Sequence, residues 1–161
     1  MKKLLFIAVG LIATTSYAAS TGTLLLQGVV APVNTITVVQ TALQLSNATS
    51  LNITGGEVAK DVASVDESSN NLNGYKIFMR SGNGLSKLVH GSDASKSTAY
   101  TISYDGGPYK TLTAVNQEVK DSGLLSGLTP DTSAVAVNVT AYPSAPAGTY
   151  SDTVTISIIA N

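Results

Sequence analysis

The sequence predicts an all-β protein, built as an antiparallel sandwich of short strands. Apolar and polar residues alternate with a period of two in several separate runs, which is typical of strands with one buried face. Clusters of Gly, Pro, Asn and Asp lie between these runs and predict turns. Because convincing helical periodicity is missing, strands at this spacing favour a sandwich over a mixed fold.

The alternation is clearest in four runs that are rich in Val, Ile, Thr and Tyr. These residue types favour a pleated surface that is buried on one side. The four runs are Tyr75–Arg80, Ala99–Tyr104, Ala134–Val139 and Thr153–Ile158. Weaker strand candidates are Gly22–Val30, Val33–Gln40, Ala42–Leu45 and Val58–Val65.

The segments between these strands contain turns, one helix candidate and two loop-like windows. The helix candidate is Ala114–Ser122, which is short and polar. The loop-like windows are Ser46–Gly56 and Lys110–Thr132. In the second window we expect three leucines to pack as an irregular edge, namely Leu124, Leu125 and Leu128.

Residues 1–18 have the order of a cleaved export signal. Lys2 and Lys3 precede the apolar run Leu4–Ala13, and Ser16 and Ala18 are the small residues that a cleavage site requires. The apolar run is shorter than the ~20 residues of a membrane-spanning helix. The sequence therefore predicts export, cleavage before Ala19 and one mature domain over residues 19–161, and an N-terminal core helix is the alternative reading.

Composition excludes several classes of function. The chain of 161 residues has 9 Lys and Arg against 10 Asp and Glu, which gives no basic surplus for nucleic acid. It has no Cys, so disulfides and thiolate metal sites are impossible. Since only 12% of the residues are charged and 43% are hydrophobic, the chain has the composition of a folded core rather than of a disordered segment.

Candidate catalytic and metal-binding residues are few. His90 has no partner at a fixed spacing and is interpreted as a loop or surface residue. The carboxylates of Asp66, Glu67 and Asp105 lack the spacing of a calcium loop, and Asp105 is interpreted as part of a turn. We therefore predict neither a catalytic residue nor a metal or cofactor, and the protein is not expected to be an enzyme.

Several segments, taken in order, resemble a known family of exported proteins. They are Asn70–Ile77, Ser81–Leu85, Tyr100–Gly106, Pro146–Ile156 and the N-terminal segment Thr23–Val30 with its Gly28. Together these segments resemble the pilin subunits of the chaperone–usher route, especially the branch grouped with spore coat protein U and the archaic pili. The resemblance covers essentially the whole of residues 19–161.

The resemblance implies an immunoglobulin-like sandwich that lacks its seventh strand. A periplasmic chaperone fills the gap first, and at an outer-membrane usher the N-terminal extension of the next pilin subunit replaces it, a form of strand addition. The protein would be transiently periplasmic and then part of a fimbrium on the cell surface. Burial of four or five apolar side chains would contribute about 6–15 kcal/mol before ordering costs, which is similar to the ~5–15 kcal/mol stability of a whole domain.

The resemblance also assigns residues to these contacts. The donor-strand face would consist of Leu24, Leu26, Gly28 and Val30, within a donor segment of residues 19–30. Contacts with the chaperone or a neighbouring subunit would involve Val154, Ile156, Ile158 and the carboxylate of Asn161. The alternative for the N-terminal segment is that Gly22–Val30 forms the first strand of its own subunit.

A second function class stays open on the sequence alone. A secreted adhesin-type sandwich, at a fibre tip or free-standing, would bind glycan or protein through its loops. Tyr109 and Tyr142 lie near turns and are the best candidates for an exposed aromatic contact of this kind.

Overall fold

Nine strands make up the fold within residues 23–40 and 51–161, the part of the chain that the computed structural model describes. In chain order they are β1 (Asn34–Gln40), β2 (Glu57–Ser69), β3 (Tyr75–Ser81), β4 (Lys87–His90), β5 (Asp93–Tyr104), β6 (Gln117–Asp121), β7 (Thr129–Val139), β8 (Tyr150–Ser151) and β9 (Val154–Ala160). The pairings between these strands are antiparallel. These residues contain no helix, so the predicted all-β fold is confirmed.

The strands form two sheets that pack as a sandwich, consistent with an immunoglobulin-like arrangement. The larger sheet has the order β1-β2-β7-β5-β4-β8, and the smaller sheet has the order β6-β3-β9. The chain passes from the larger to the smaller sheet through the turn between β2 and β3. Gly74 ends this turn with a φ of 82°, and a Cβ atom there would collide with the main-chain oxygen of Gly123. Only glycine therefore fits this position.

The core consists of the inward faces of the central strands. Successive strand residues point to opposite faces, so every second residue of β3, β5 and β7 reaches the space between the sheets. The buried residues are Tyr75, Ile77 and Met79 on β3, Tyr100, Ile102 and Tyr104 on β5, and Val135, Val137 and Val139 on β7. The alternation predicted for these three strands is therefore confirmed.

The weaker predictions have mixed outcomes. Val33–Gln40 and Val58–Val65 are confirmed as β1 and as part of β2. The strand predicted at Gly22–Val30 is wrong for the described residues Thr23–Val30, which contain no strand. Among the described residues, the first strand begins instead at Asn34.

The short, polar helix candidate Ala114–Ser122 does not form a helix. Its residues Gln117–Asp121 form β6, because they pair with β3 at the edge of the smaller sheet. The window Lys110–Thr132 is therefore not a continuous loop, and β7 already begins within it at Thr129. Pairing with a neighbouring strand has outweighed a weak local pattern here.

Some predictions fall on residues that the structure does not describe. The export signal of residues 1–18, the strand candidate Ala42–Leu45 and residues 46–50 of the first loop-like window all lie there. In the described ranges, no helix has the length and apolar character needed to cross a membrane.

Candidate functional site

A groove opens along one side of the sandwich, between the edge strands β1 and β9. The two strands approach each other from different sheets. Within the described residues, β1 pairs only with β2, and β9 pairs only with β3. Each strand therefore has one edge of main-chain groups without a strand partner. We call this site the β1–β9 groove.

The two edge strands run in opposite directions along the groove. β1 begins at Asn34, which pairs with Ser69, and β9 ends at Ala160, which pairs with Tyr75. Ser69 and Tyr75 flank the turn between β2 and β3, so both positions lie at one end of the sandwich. An extended segment placed between β1 and β9 would thus be parallel to one of them and antiparallel to the other.

The groove leads into a cavity of about 200 Å³. Its walls come from both sheets, and its floor consists of core side chains. It is lined by Val38, Gln40, Leu51, Val62, Ala63, Met79, Leu88, Tyr100, Ile102, Val135, Val137, Asp152, Val154 and Ile156. Because most of these side chains are apolar, the cavity suits an apolar occupant.

Core burial is incomplete along the groove. On β3, in the middle of the smaller sheet, Ile77 and Met79 are 0% exposed. On the neighbouring β9, the inward residues Val154, Ile156 and Ile158 are only partly buried, and β9 contains no fully buried residue. On β1, Val38 lines the cavity and is still 46% exposed. These side chains face the core, and no described strand covers them.

The opposite side of the sandwich is closed by the chain itself. Lys110 and Ile102 of β5 exchange main-chain hydrogen bonds of 2.8 and 2.9 Å, and Ser81 of β3 donates to the oxygen of Thr113 over 2.9 Å. The segment Lys110–Thr113 thus bridges the two sheets. Its Leu112 is 0% exposed, and the main-chain N–H of Leu112 donates to the Ser86 hydroxyl over 2.7 Å.

The predicted donor-strand residues lie in a segment without regular structure. Thr23–Val30 forms no strand, and Leu24, Leu26 and Val30 are 82%, 82% and 86% exposed. A side chain at Gly28 would have open space around it, since no described atom beyond its chain neighbours lies within 4 Å of the position that a Cβ atom would take. Exposed apolar side chains of this size are available for burial in a partner, and the assignment of donor residues stays a prediction.

The predicted chaperone-contact residues lie along and at the end of β9. Val154 and Ile156 line the cavity, and Ile158 packs partly against the core. Asn161 is held at the turn between β2 and β3, where its N–H donates to the oxygen of Gly74 over 3.0 Å. Its main-chain oxygen accepts a 2.8 Å hydrogen bond from the Asn71 amide. The structure brings Val154 and Ile156 into the groove and places Asn161 beyond its end.

A buried polar network, which the sequence did not reveal, ties the two sheets together. Glu67 of β2 is 2% exposed and accepts hydrogen bonds from Tyr75, Tyr104 and Ser133. The ammonium of Lys120 lies 3.2 Å from its carboxylate and 2.6 Å from that of Asp131. Since buried polar groups need such partners, the network is a well-satisfied structural element.

The surroundings in this network shift the pKa values of Tyr104, Lys120 and Asp131. Burial and then the hydrogen bond to Glu67 raise the pKa of Tyr104 well above its usual value. Burial alone would lower the pKa of Lys120, but the hydrogen bond to Asp131 and the charge of Glu67 outweigh it, so that the pKa is raised. The hydrogen bond from Lys120 lowers the pKa of Asp131. A neutral, nucleophilic amine is therefore disfavoured at Lys120.

The other polar candidates occupy separate structural positions. Asp66 lies on the outer face of β2, opposite to its neighbour Glu67, because adjacent strand residues point to opposite faces. Asp105 lies 3.4 Å from Lys120. Among the described residues, no group of three or more His, Asp or Glu side chains could hold a metal ion.

His90 and two tyrosines form a small aromatic cluster at β8. The rings of His90 and Tyr150 are 5.0 Å apart, and those of Tyr142 and Tyr150 are 6.5 Å apart, both edge to face. His90 Nε2 lies 3.1 Å from the oxygen of Ala147, and the Tyr150 hydroxyl donates to the oxygen of Pro146 over 3.1 Å. The cluster thus anchors its own loop, while Tyr109, a separate candidate, is 39% exposed.

A scan against protein-family models and a search of curated proteins both gave no match.

Proposed function

We propose that this protein is a structural subunit of a surface fibre that polymerises by donor-strand exchange. In this proposal the β1–β9 groove of one subunit accepts the segment Thr23–Val30 of the next. A periplasmic chaperone would occupy the groove before assembly, and an outer-membrane usher would be the place of exchange. The observation that carries the proposal is the pair of open strand edges above an apolar cavity.

The open strand edges of the site and the residue pattern of the segment support the match. An added strand would pair with the free edges of both β1 and β9, joining the two sheets on their open side. The segment offers Leu24, Leu26 and Val30 at alternate positions, so these side chains would point to one face of an extended strand. Gly28 between them would let the backbone pass close to the core of the acceptor.

The direct test is the addition of a synthetic peptide to a shortened subunit. The subunit consists of residues 31–161, and the peptide has the sequence of residues 19–30. At a peptide concentration a hundred times the Kd, binding stabilises the folded subunit by about 2.7 kcal/mol, so we expect the melting temperature to rise by roughly 10 °C.

Two altered peptides are the controls. A peptide with Leu24→Asp and Leu26→Asp should give no shift, because it would place charges in an apolar cavity. A peptide with Gly28→Leu tests the position of the glycine and should lose most of the shift if Gly28 faces the core. A melting temperature that is the same with and without the unaltered peptide would refute the proposed function.

A further inference from the structure

Three strongly exposed leucines lie at one end of the sandwich. Leu72, Leu124 and Leu128 are 64%, 84% and 62% exposed. Leu72 is in the turn between β2 and β3, and its main-chain oxygen accepts a 3.0 Å hydrogen bond from the N–H of Leu125. Leu124 is the residue before Leu125. Leu128 precedes Thr129, which pairs with Ser69 at the start of the same turn. We call these three residues the leucine end.

This exposure differs from the sequence expectation. All three leucines of the loop-like window were expected to pack as an irregular edge, but only Leu125 packs partly against the core. Leu124 and Leu128 contribute their surface to solvent instead. Single exposed leucines are common, whereas several at one end of a domain indicate an interaction surface.

The chain enters the sandwich at the same end. The Asn70 side chain donates to the oxygen of Ala31 over 2.8 Å and accepts from the N–H of Val33 over 2.7 Å. The N–H of Asn70 also donates to the oxygen of Val33 over 3.2 Å. Residues 31–33 are thereby fixed to the turn that carries Leu72.

The covalent connection then limits where a subunit that binds the N-terminal segment can be. Val30 precedes the fixed residue Ala31, and consecutive Cα atoms are only ~3.8 Å apart. A protein that buries Val30 in its groove must therefore lie against the end where Ala31 is held. The chain offers no spacer residues that would keep the two bodies apart.

From this restriction we propose that the leucine end packs against the body of the subunit whose groove holds the N-terminal segment. The partner is a second copy of this chain, and the inference rests on the proposed function. The opposite end of the sandwich, near Ser81 at the end of β3, exposes Leu85 at 54% and Val115 at 68%. In this proposal the N-terminal segment runs antiparallel to β9, so that its last residue, Val30, leaves the groove at this opposite end. A head-to-tail contact then joins the two apolar ends and extends without closing.

Engineered disulfides test this contact, because the natural chain contains no Cys. The full chain with Leu128→Cys and Leu85→Cys should give a ladder of disulfide-linked oligomers under oxidising conditions. The matched control combines Leu128→Cys with Glu118→Cys, since Glu118 is exposed on β6, away from both ends. It should give at least about tenfold less cross-linked product.

A second variant tests the apolar contact without any cross-link. Leu124→Ser with Leu128→Ser changes only exposed side chains, so each substitution should alter subunit stability by less than about 0.5 kcal/mol. We expect the yield of oligomers in sedimentation velocity to fall about tenfold at equal protein concentration, because each apolar contact removed weakens association.

The outcomes separate this inference from the proposed function. If the peptide of residues 19–30 stabilises the subunit but the serine variant assembles normally and the Cys pair gives no more product than its control, the leucine-end contact is refuted and the groove proposal stands. If the peptide has no effect and the unaltered chain forms no oligomers, both are refuted.

Discussion

The two long sides of this sandwich are completed in different ways. On one side the segment Lys110–Thr113 hydrogen-bonds to both sheets and places the fully buried Leu112 between them. On the other side β1 and β9 have no described strand between them, and Val38 stays 46% exposed. Among the residues that the structure describes, the chain therefore closes one side of its core and places no strand over the other.

This difference shows where the molecule can gain stability from a partner. A strand that pairs with β1 and β9 would cover Val38, Val154 and Ile156 in the way that Leu112 and its neighbours cover the closed side. Burial of such side chains is worth about 1.5–3 kcal/mol each. Under the proposed function, the open side is thus the part of the fold that another polypeptide would stabilise.

The largest expected effect lies in the fully buried part of the core, at Glu67. Replacement Glu67→Ala leaves the ammonium of Lys120 and the hydroxyls of Tyr75 and Tyr104 without their shared partner. Removing one partner of a buried ion pair costs about 3–5 kcal/mol. We expect a loss of this size in the free energy of unfolding of Glu67→Ala, measured by urea denaturation.

The adjacent residue gives the matched control for that substitution. Asp66 lies on the outer face of the same strand, so Asp66→Ala should change the free energy of unfolding by less than about 0.5 kcal/mol. Equal losses for Asp66→Ala and Glu67→Ala would contradict a specific role for the buried network.

A pair of truncations compares the two sides directly. In the subunit of residues 31–161, Leu112→Ala should cost about 2–5 kcal/mol, because it removes a fully buried side chain. Val38→Ala in the same subunit should cost less than about 1 kcal/mol, since Val38 is half exposed.

The comparison changes when the peptide of residues 19–30 is bound. Val38 would then be covered, so the cost of Val38→Ala should rise by about 1 kcal/mol, while the cost of Leu112→Ala stays the same. Unfolding curves with and without peptide measure both quantities. A cost for Val38→Ala that does not depend on the peptide would contradict the groove as the binding site.

Sequence patterns predicted the regular part of this fold and missed its irregular parts. Strict alternation identified the buried faces of β3, β5 and β7, because tertiary structure and local pattern agree there. Leu112 was missed, since a single buried leucine in a polar window has no periodicity. In the sequence, Glu67 lies just beyond the strand candidate Val58–Val65. Its burial depends on hydrogen-bond donors that are distant in sequence.

The open groove required a different kind of information. The residues next to Val38 and Ile156 in the sequence do not indicate whether their strands lie at the edge or in the middle of a sheet. Strand pairing depends on the topology of the whole fold. The resemblance of the sequence to pilins supplied the expectation of a missing strand. Among the described residues, the sheet order makes β1 and β9 edge strands, and their mutual contacts and the cavity beside them identify the groove.

Amide hydrogen exchange along β1 and β9 tests the central claim most directly. In the subunit of residues 31–161, amides of Asn34–Gln40 and Val154–Ala160 that face the groove should exchange quickly, whereas β7, paired on both sides, exchanges slowly. Adding the peptide of residues 19–30 should slow exchange at those two edges by at least about tenfold. Unchanged exchange at both edges, under conditions in which the peptide is bound, would contradict the account.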